Sequence, residues 1–200
     1  MSETSASTSS SLLGGGEANH TLRTSHRIAA VRAGVALIWA AALVLAVGDR
    51  IPTTSADVPL VAALLLTAYP LIDSISSFAE ARSRHGRDPR LLAVNGTVSA
   101  FAAAGLAGAT FAGDAGTTLA AFGTWAVVSG AIQLAAALRR RRDGDREWPM
   151  IISGALSAVA GVAFVSAASQ SDANLAVLAG YAAMGALLFL IWAAAGRRQK

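Results

Sequence analysis

The sequence predicts an all-α, polytopic membrane protein with six transmembrane helices built from repeated helical hairpins. Two observations carry this prediction. Of the 200 residues, 54% are hydrophobic and only 14% are charged, whereas about 25% of the residues of a soluble domain are charged. The apolar residues also form six runs of about 20 residues, the length that lets a helix cross the ~30 Å hydrocarbon core of a bilayer.

Short polar loops separate the six apolar runs. The runs cover approximately residues 29–48, 58–79, 91–112, 117–138, 148–168 and 175–195. Asp57 before the second run, Asn174 before the sixth and Pro149 inside the fifth are residue types that favour the start of a helix. A soluble helical protein is the alternative, but six nearly uncharged runs leave no polar faces to meet water. The predicted transmembrane domain covers residues 28–196.

The ends of the chain are polar. Residues 1–27 are rich in serine, threonine and glycine, which predicts a disordered tail because they cannot bury enough apolar surface to fold. A cleaved signal peptide is the alternative for the first run, but this run is longer than the ~7–15 apolar residues of a signal peptide. Residues 197–200 form a basic end.

Basic residues are divided unequally between the two sides of the predicted bundle. Fifteen of the sixteen lie in the tail, the second and fourth loops or the C-terminal end, and only Arg50 lies on the other side. The arginines of the two basic loops are Arg82, Arg84, Arg87, Arg90, Arg139, Arg140, Arg141, Arg142 and Arg146. The positive-inside rule then places both basic loops and both termini in the cytoplasm.

The four consecutive arginines at 139–142 have three interpretations. Topology, together with attraction to anionic lipid head groups at ~1 kcal/mol per basic residue, is the simplest. A docking site for an acidic cytoplasmic protein is the second. Nucleic-acid binding is the third, and it is disfavoured because the loop is short and lacks aromatic residues for stacking. We therefore expect the lipid bilayer and its anionic head groups as partners and no nucleic acid, and a homo-oligomer is left open.

Each basic loop lies inside a repeated unit, since residues 125–161 resemble residues 69–104. The aligned pairs are Tyr69 with Trp125, Ser74 with Gly130, Gly96 with Gly154 and Ser99 with Ser157. The sixth run resembles the first half of this unit, with Gly185 at the position of Gly130. The first run resembles the second half, with Gly34 at the position of Gly96. Chance similarity among alanine-rich helices is the alternative to two complete hairpins and a third, split one.

Glycines within these units predict close packing of helices. Gly123 and Gly130 are seven residues apart, as are Gly154 and Gly161, so each pair lies on one helix face. Gly96 repeats Gly154 in the first hairpin. Small residues let helix backbones approach in lipid, where packing must drive association.

The motif W-x-x-x-S-G at residues 125–130, the basic loop, and W-x-x-x-x-S-G-x-x-S-x-x-x-G at residues 148–161 resemble the HdeD-like acid-resistance membrane proteins. The resemblance covers spans two to six, most sharply residues 123–165. It implies a bacterial inner-membrane protein of short repeated hairpins, with a role in acid or envelope stress and no known mechanism. The first hairpin departs from the motif, because Asp73 replaces Ser129 and Asn95 replaces Ser153. The resemblance supplies no catalytic residues.

Asp73 is the one carboxylate well inside an apolar run. A charge there costs ~2.5–3.5 kcal/mol on insertion scales, so its side chain should face the bundle or a water pocket. The residues of similar depth form a predicted polar layer of Asp73, Asn95, Ser129, Ser153 and Gln133. Three hypotheses remain open. The layer is a protonatable site for a proton or small solute, or it fixes helix register through bonds to Asn95 and Ser77, or Asp73 reaches the head groups.

Chemistry-bearing motifs are otherwise scarce. His20, His26 and His85 share no metal-ligand spacing, and no cysteine is present. No phosphate-binding or catalytic-triad motif occurs, so we expect neither an enzyme nor a cofactor. Two functions remain: a non-enzymatic stress or structural membrane protein, and a small-solute or proton transporter or channel that uses the polar layer.

Cysteine labelling tests the topology, because the native chain has no cysteine. A cysteine at Ser171 should react with a membrane-impermeant thiol reagent added outside intact cells, and one at Gly144 should react only after lysis. The opposite pattern would invert the topology, and reaction of both from outside would break the six-span scheme.

Overall fold

The computed structural model describes residues 33–48, 55–82, 89–142, 148–171 and 174–195, and this part of the chain is helical. Six helices run in chain order. They are α1 (Ala33–Val47), α2 (Leu60–Arg82), α3 (Pro89–Ala112), α4 (Ala115–Arg142), α5 (Trp148–Ala167) and α6 (Ala176–Ala195). The predicted all-α class is confirmed for these residues, whereas the predicted tail (1–27) and basic end (197–200) lie outside them.

Four of the described helices, α2 to α5, are long and apolar enough to cross a membrane. Helices α1 and α6 contribute shorter apolar segments, Ala33–Val47 and Ala176–Leu188. The chain is therefore a multi-pass helical membrane protein, and the count of six spans stays a prediction.

Local chemistry fixes several helix ends. Helix α1 is followed by Gly48, whose φ of 44° is the left-handed conformation that favours glycine after a helix. Helix α4 begins with a cap in which the Thr117 N–H donates to Asp114 Oδ1 at 2.7 Å. These bonds from Thr117 hold the pKa of the Asp114 carboxyl below its ordinary value. Asn174 caps α6 in the same way, accepting from the Ala176 N–H at 2.8 Å.

The most extensive helix contacts join α2 to α3 and α4 to α5, so these pairs are hairpins. Contacts between α3 and α4 are fewer, and those between α5 and α6 are fewer still. This order follows from the glycines and serines that line the hairpin contacts.

The α4–α5 hairpin packs backbone against backbone at two levels. A Cβ atom on Gly130 would lie 2.7 Å from Ala158 N and 2.8 Å from Gly154 O. Two helical turns away, a Cβ on Gly161 would lie 2.5 Å from Gly123 O. Side-chain carbons do not come so near to backbone atoms, so only glycine fits at these contacts.

The α2–α3 hairpin uses the same positions with different chemistry. Ser74, which is buried, donates from Oγ to the backbone oxygen of Gly96 at 2.7 Å. A Cβ on Gly96 would lie 3.1 Å from the ring of Phe78. Since Ser74 and Gly96 correspond to Gly130 and Gly154, a hydrogen bond replaces one side of the glycine contact.

The repeat is visible in the core at intervals of 56 residues. Leu66, Phe122 and Leu178 have this spacing on α2, α4 and α6, and each is 0% exposed. Tyr69, Trp125 and Tyr181 follow one turn later on the same three helices. Helix α6 therefore occupies the place of a first half-unit.

The register of the split unit differs by one residue from the sequence alignment. Ala186, which is buried, stands 56 residues after Gly130, whereas a Cβ on Gly185 would meet nothing within 4 Å. On α1, the buried residues Ala33, Ala40 and Leu43 have the spacing of Gly96, Ala103 and Leu106. Ala33 and Ala186, rather than Gly34 and Gly185, thus hold the positions of the packing glycines, because alanine-rich helices align almost equally well in either register.

Alanine substitutions separate the packed glycines from open ones. Gly130→Ala should lower the melting temperature in detergent, because overpacking typically costs ~1–3 kcal/mol. Gly180→Ala on α6 is the matched control, since its new Cβ would meet nothing within 4 Å. The control should be neutral or raise the melting temperature, because alanine favours a helix over glycine by ~0.5–1 kcal/mol. Equal melting temperatures for the two variants would contradict the close α4–α5 contact.

Candidate functional site

Asp73 lies on α2 and binds two donors from α3. Its Oδ2 accepts from Asn95 Nδ2 at 2.9 Å and from Ser99 Oγ at 2.7 Å. Asn95 and Ser99 are four residues apart, so they share one face of α3 and reach the same carboxylate. Because lipid offers no hydrogen bonds, these contacts supply the polar environment that a carboxylate in a span requires.

Asn95 joins three helices through its side-chain amide. Its Nδ2 donates to Ser77 Oγ at 3.0 Å as well as to Asp73. Its Oδ1 accepts from Ser129 Oγ on α4 at 3.0 Å. Both N–H groups and the oxygen of this amide are therefore engaged, as a buried polar side chain requires.

Ser99 links the carboxylate to a tryptophan. Trp125 Nε1 on α4 donates to Ser99 Oγ at 3.0 Å, while Ser99 donates to Asp73. Ser99 and Trp125 are both buried. The described polar cluster thus consists of Asp73, Ser77, Asn95, Ser99, Trp125 and Ser129 on α2, α3 and α4.

Three of the five residues predicted for the polar layer lie in this cluster: Asp73, Asn95 and Ser129. Gln133 lies one turn further along α4 and donates instead to Met150 Sδ on α5 at 3.3 Å. In the described part of the chain, no hydrogen bond joins Ser153 to the cluster. The reason is that Ser129 already occupies the Asn95 oxygen, and the α4–α5 contact directs Gln133 toward α5.

Ser99 and Trp125 were missing from the predicted layer. Both were identified only as aligned positions of the repeat, although Ser99 lies one helical turn after Asn95. That four-residue spacing is the signal that could have included Ser99. Trp125 gave no such signal, because tryptophan in an apolar span is usual on packing grounds alone.

The second unit repeats one bond of this cluster. Ser157 Oγ on α5 and Tyr181 Oη on α6 lie 2.7 Å apart and share a hydrogen bond, as Ser99 and Trp125 do. The position of Asp73 is Ser129 in this unit. A carboxylate therefore lies at this position in the first unit and not in the second.

Aromatic rings from five helices fill the core beside the cluster. Tyr69 packs on Trp39 with ring centroids 4.6 Å apart and on Trp125 at 5.7 Å. Tyr181 lies 5.7 Å from Phe164 and 6.3 Å from Phe122. Edge-to-face pairs of this kind stabilise a core beyond the area they bury.

Trp39 also binds the backbone near a proline. Pro70 has no N–H to donate within α2, so the carbonyl groups one turn earlier have one donor fewer. Trp39 Nε1 donates to the carbonyl oxygen of Leu65 in this turn at 2.9 Å. Such a donor from a neighbouring helix is what makes proline tolerable in a span.

The arginines predicted to set the topology lie at the opposite end of the helices. Arg82, Arg90 and Arg139 are exposed, and Arg82 donates to the Phe78 carbonyl at 3.4 Å. Arg141 is also exposed and stacks on Trp148, with its guanidinium 3.9 Å from the ring centroid. Arg84, Arg87 and Arg146 lie outside the described residues, as do the side chains of Arg140 and Arg142.

Comparison with known proteins gives one match. The family described as a short repeat of unknown function (DUF308) matches residues 99–166, from the middle of α3 to the end of α5. The matched segment includes Ser99, Trp125 and the glycine contact of the α4–α5 hairpin. No curated protein and no solved structure matches the chain.

Removing the carboxylate should destabilise the first hairpin. Asp73→Leu leaves the donors of Asn95 and Ser99 without their acceptor, and an unsatisfied buried polar group costs ~1–3 kcal/mol. Thr97→Leu is the control at similar depth on α3, because Thr97 is exposed and bonds only its own helix, at the Ala93 oxygen. Thermal unfolding in detergent should show a lower melting temperature for Asp73→Leu alone. A loss of equal size in Thr97→Leu would show that any leucine at this depth is harmful.

Proposed function

We propose that the chain is a non-enzymatic membrane protein of the bacterial inner membrane, acting as a closed structural bundle in acid or envelope stress tolerance. In this proposal both termini are cytoplasmic. The basic loops contact anionic lipid head groups, in line with the exposed Arg82, Arg90, Arg139 and Arg141.

The observation that carries the proposal is the engagement of the polar cluster within the protein. Asp73 accepts two hydrogen bonds at one oxygen, and the amide of Asn95 uses both N–H groups and its oxygen. Groups that bind each other across three helices hold those helices together. A substrate would have to displace these bonds, at a cost of ~1–3 kcal/mol for each polar group left without a partner.

The stress role rests on likeness rather than on the site. The segment of residues 125–161 resembles the HdeD-like acid-resistance proteins, and residues 99–166 match the short repeat of unknown function. Both likenesses fall on the α4–α5 hairpin and its flanks, the most closely packed part of the described chain.

A proton or small-solute transporter is the second candidate. A continuous series of hydrogen bonds favours it, running from Trp125 through Ser99, Asp73 and Asn95 to Ser129. A carboxylate inside such a series is a common feature of intramembrane proton relays.

One variant distinguishes the two functions. Asp73→Asn keeps the shape of the side chain and an acceptor oxygen but cannot carry a proton as a carboxyl group does. In a strain lacking the gene, we expect lower survival after acid challenge, and full recovery with either the parent chain or Asp73→Asn. Liposomes containing the parent chain should keep an imposed pH gradient as well as empty liposomes do.

The opposite results would favour the transporter. If the parent chain collapses the gradient and Asp73→Asn, produced at the same level, does neither this nor restores survival, the structural proposal is wrong. Unchanged survival of the deletion strain would remove the stress role and leave the structural one without a physiological assignment.

A further inference from the structure

A groove lies on the outer surface between α3 and α4. It has a volume of about 280 Å³. Its walls include Val98, Ala102 and Gly105 from α3 and Thr124, Trp125 and Val128 from α4. The residues of the groove are mostly apolar, and it lies midway along both helices.

The groove exists because side chains do not fill this helix contact. A Cβ on Gly105 would meet nothing within 4 Å, in contrast to the packed glycines between α4 and α5. The α3–α4 contact is also less extensive than the contacts within the two hairpins. The described chain thus leaves a hole at its surface where a bulky group from outside would fit.

A bulky group of the right depth lies beside the groove. Phe101 projects from α3 and is 76% exposed. It falls between Val98 and Ala102 in the sequence, so its ring lies at the depth of the groove. Phe101 and Gly105 are four residues apart and therefore neighbours on the same side of α3.

We propose that this surface binds a second copy of the chain. Two copies of the same orientation in a membrane are related by a two-fold axis along the membrane normal, so contacting residues must lie at equal depth. In such an isologous contact, each Phe101 enters the groove of the other copy. The open Gly105 and Gly108 next to it allow the two α3 helices to approach, which is how helices associate in lipid.

The contact would adjoin the polar cluster. Trp125 forms part of the groove wall, and its indole N–H binds Ser99, which binds Asp73. The second copy therefore packs on the ring that ends this series of bonds. The dimer does not depend on the proposed stress role, since it follows from the shape of this surface alone.

Cross-linking tests the geometry in membranes. Gly108→Cys introduces a single thiol on α3, and Gly180→Cys introduces one on α6 as the control, both at positions where a new Cβ meets nothing within 4 Å. A short bifunctional thiol reagent should join two chains of Gly108→Cys and not of Gly180→Cys. Equal cross-linking of both, or of neither, would overturn the proposal.

Dimerisation in liposomes tests the contact itself. Phe101→Ala removes the bulky side chain and Gly105→Leu fills the groove. Each should weaken dimerisation by about tenfold or more, as expected when a central side chain of an interface is lost. Leu45→Ala on α1, where the leucine is 83% exposed, should leave it unchanged. Counting of labelled chains per liposome over a range of dilutions gives the measurement.

A monomeric parent chain would overturn the inference, as would equal weakening by Leu45→Ala. Quenching of Trp125 by brominated acyl chains in the parent, undiminished at high protein density, would show that a lipid tail occupies the groove instead. A failed acid-survival assay would leave these results untouched, so the two proposals are tested separately.

Discussion

Lipid provides neither hydrogen bonds nor a hydrophobic force between helices, and the described structure depends on this constraint throughout. The α4–α5 hairpin responds by removing side chains, so that Gly130 and Gly154 bring two backbones together. The α2–α3 hairpin responds with polar bonds, from Ser74 to a backbone oxygen and from Asn95 to Asp73. Both solutions replace the burial of apolar surface, which holds soluble helices together, with direct packing and paired polar groups.

The repeat lets one architecture carry both solutions. Residues 56 apart on α2, α4 and α6 form the same buried layers, as Leu66, Phe122 and Leu178 show. The bond of Trp125 to Ser99 recurs in the bond of Tyr181 to Ser157, so the link between successive units is kept. What differs is the lateral position on α2, where Asp73 takes the place held by Ser129 in the second unit. A common frame thus allows one unit to acquire a polar cluster while its neighbour stays apolar.

Sequence reasoning succeeds here where a single property decides the outcome. The length and hydropathy of α2 to α5 predict spans, and the equal depth of Asp73 and Asn95 predicts their contact. It fails where helix rotation decides, because a serine can bond its own helix, as Ser166 does, or a neighbour, as Ser99 does. The alignment of α1 and α6 erred by one residue for a related reason, since only burial distinguishes one register of an alanine-rich helix from the next.

The pairing of Asp73 with Asn95 also bears on how the chain enters the bilayer during synthesis. Helix α2 emerges from the ribosome first and carries a carboxylate whose insertion alone costs ~2.5–3.5 kcal/mol. Its two donors, Asn95 and Ser99, arrive with α3 after residues 83–88. The first hairpin is therefore best transferred to lipid as a pair, whereas α4 and α5 contain no carboxylate and can each leave the translocation channel alone.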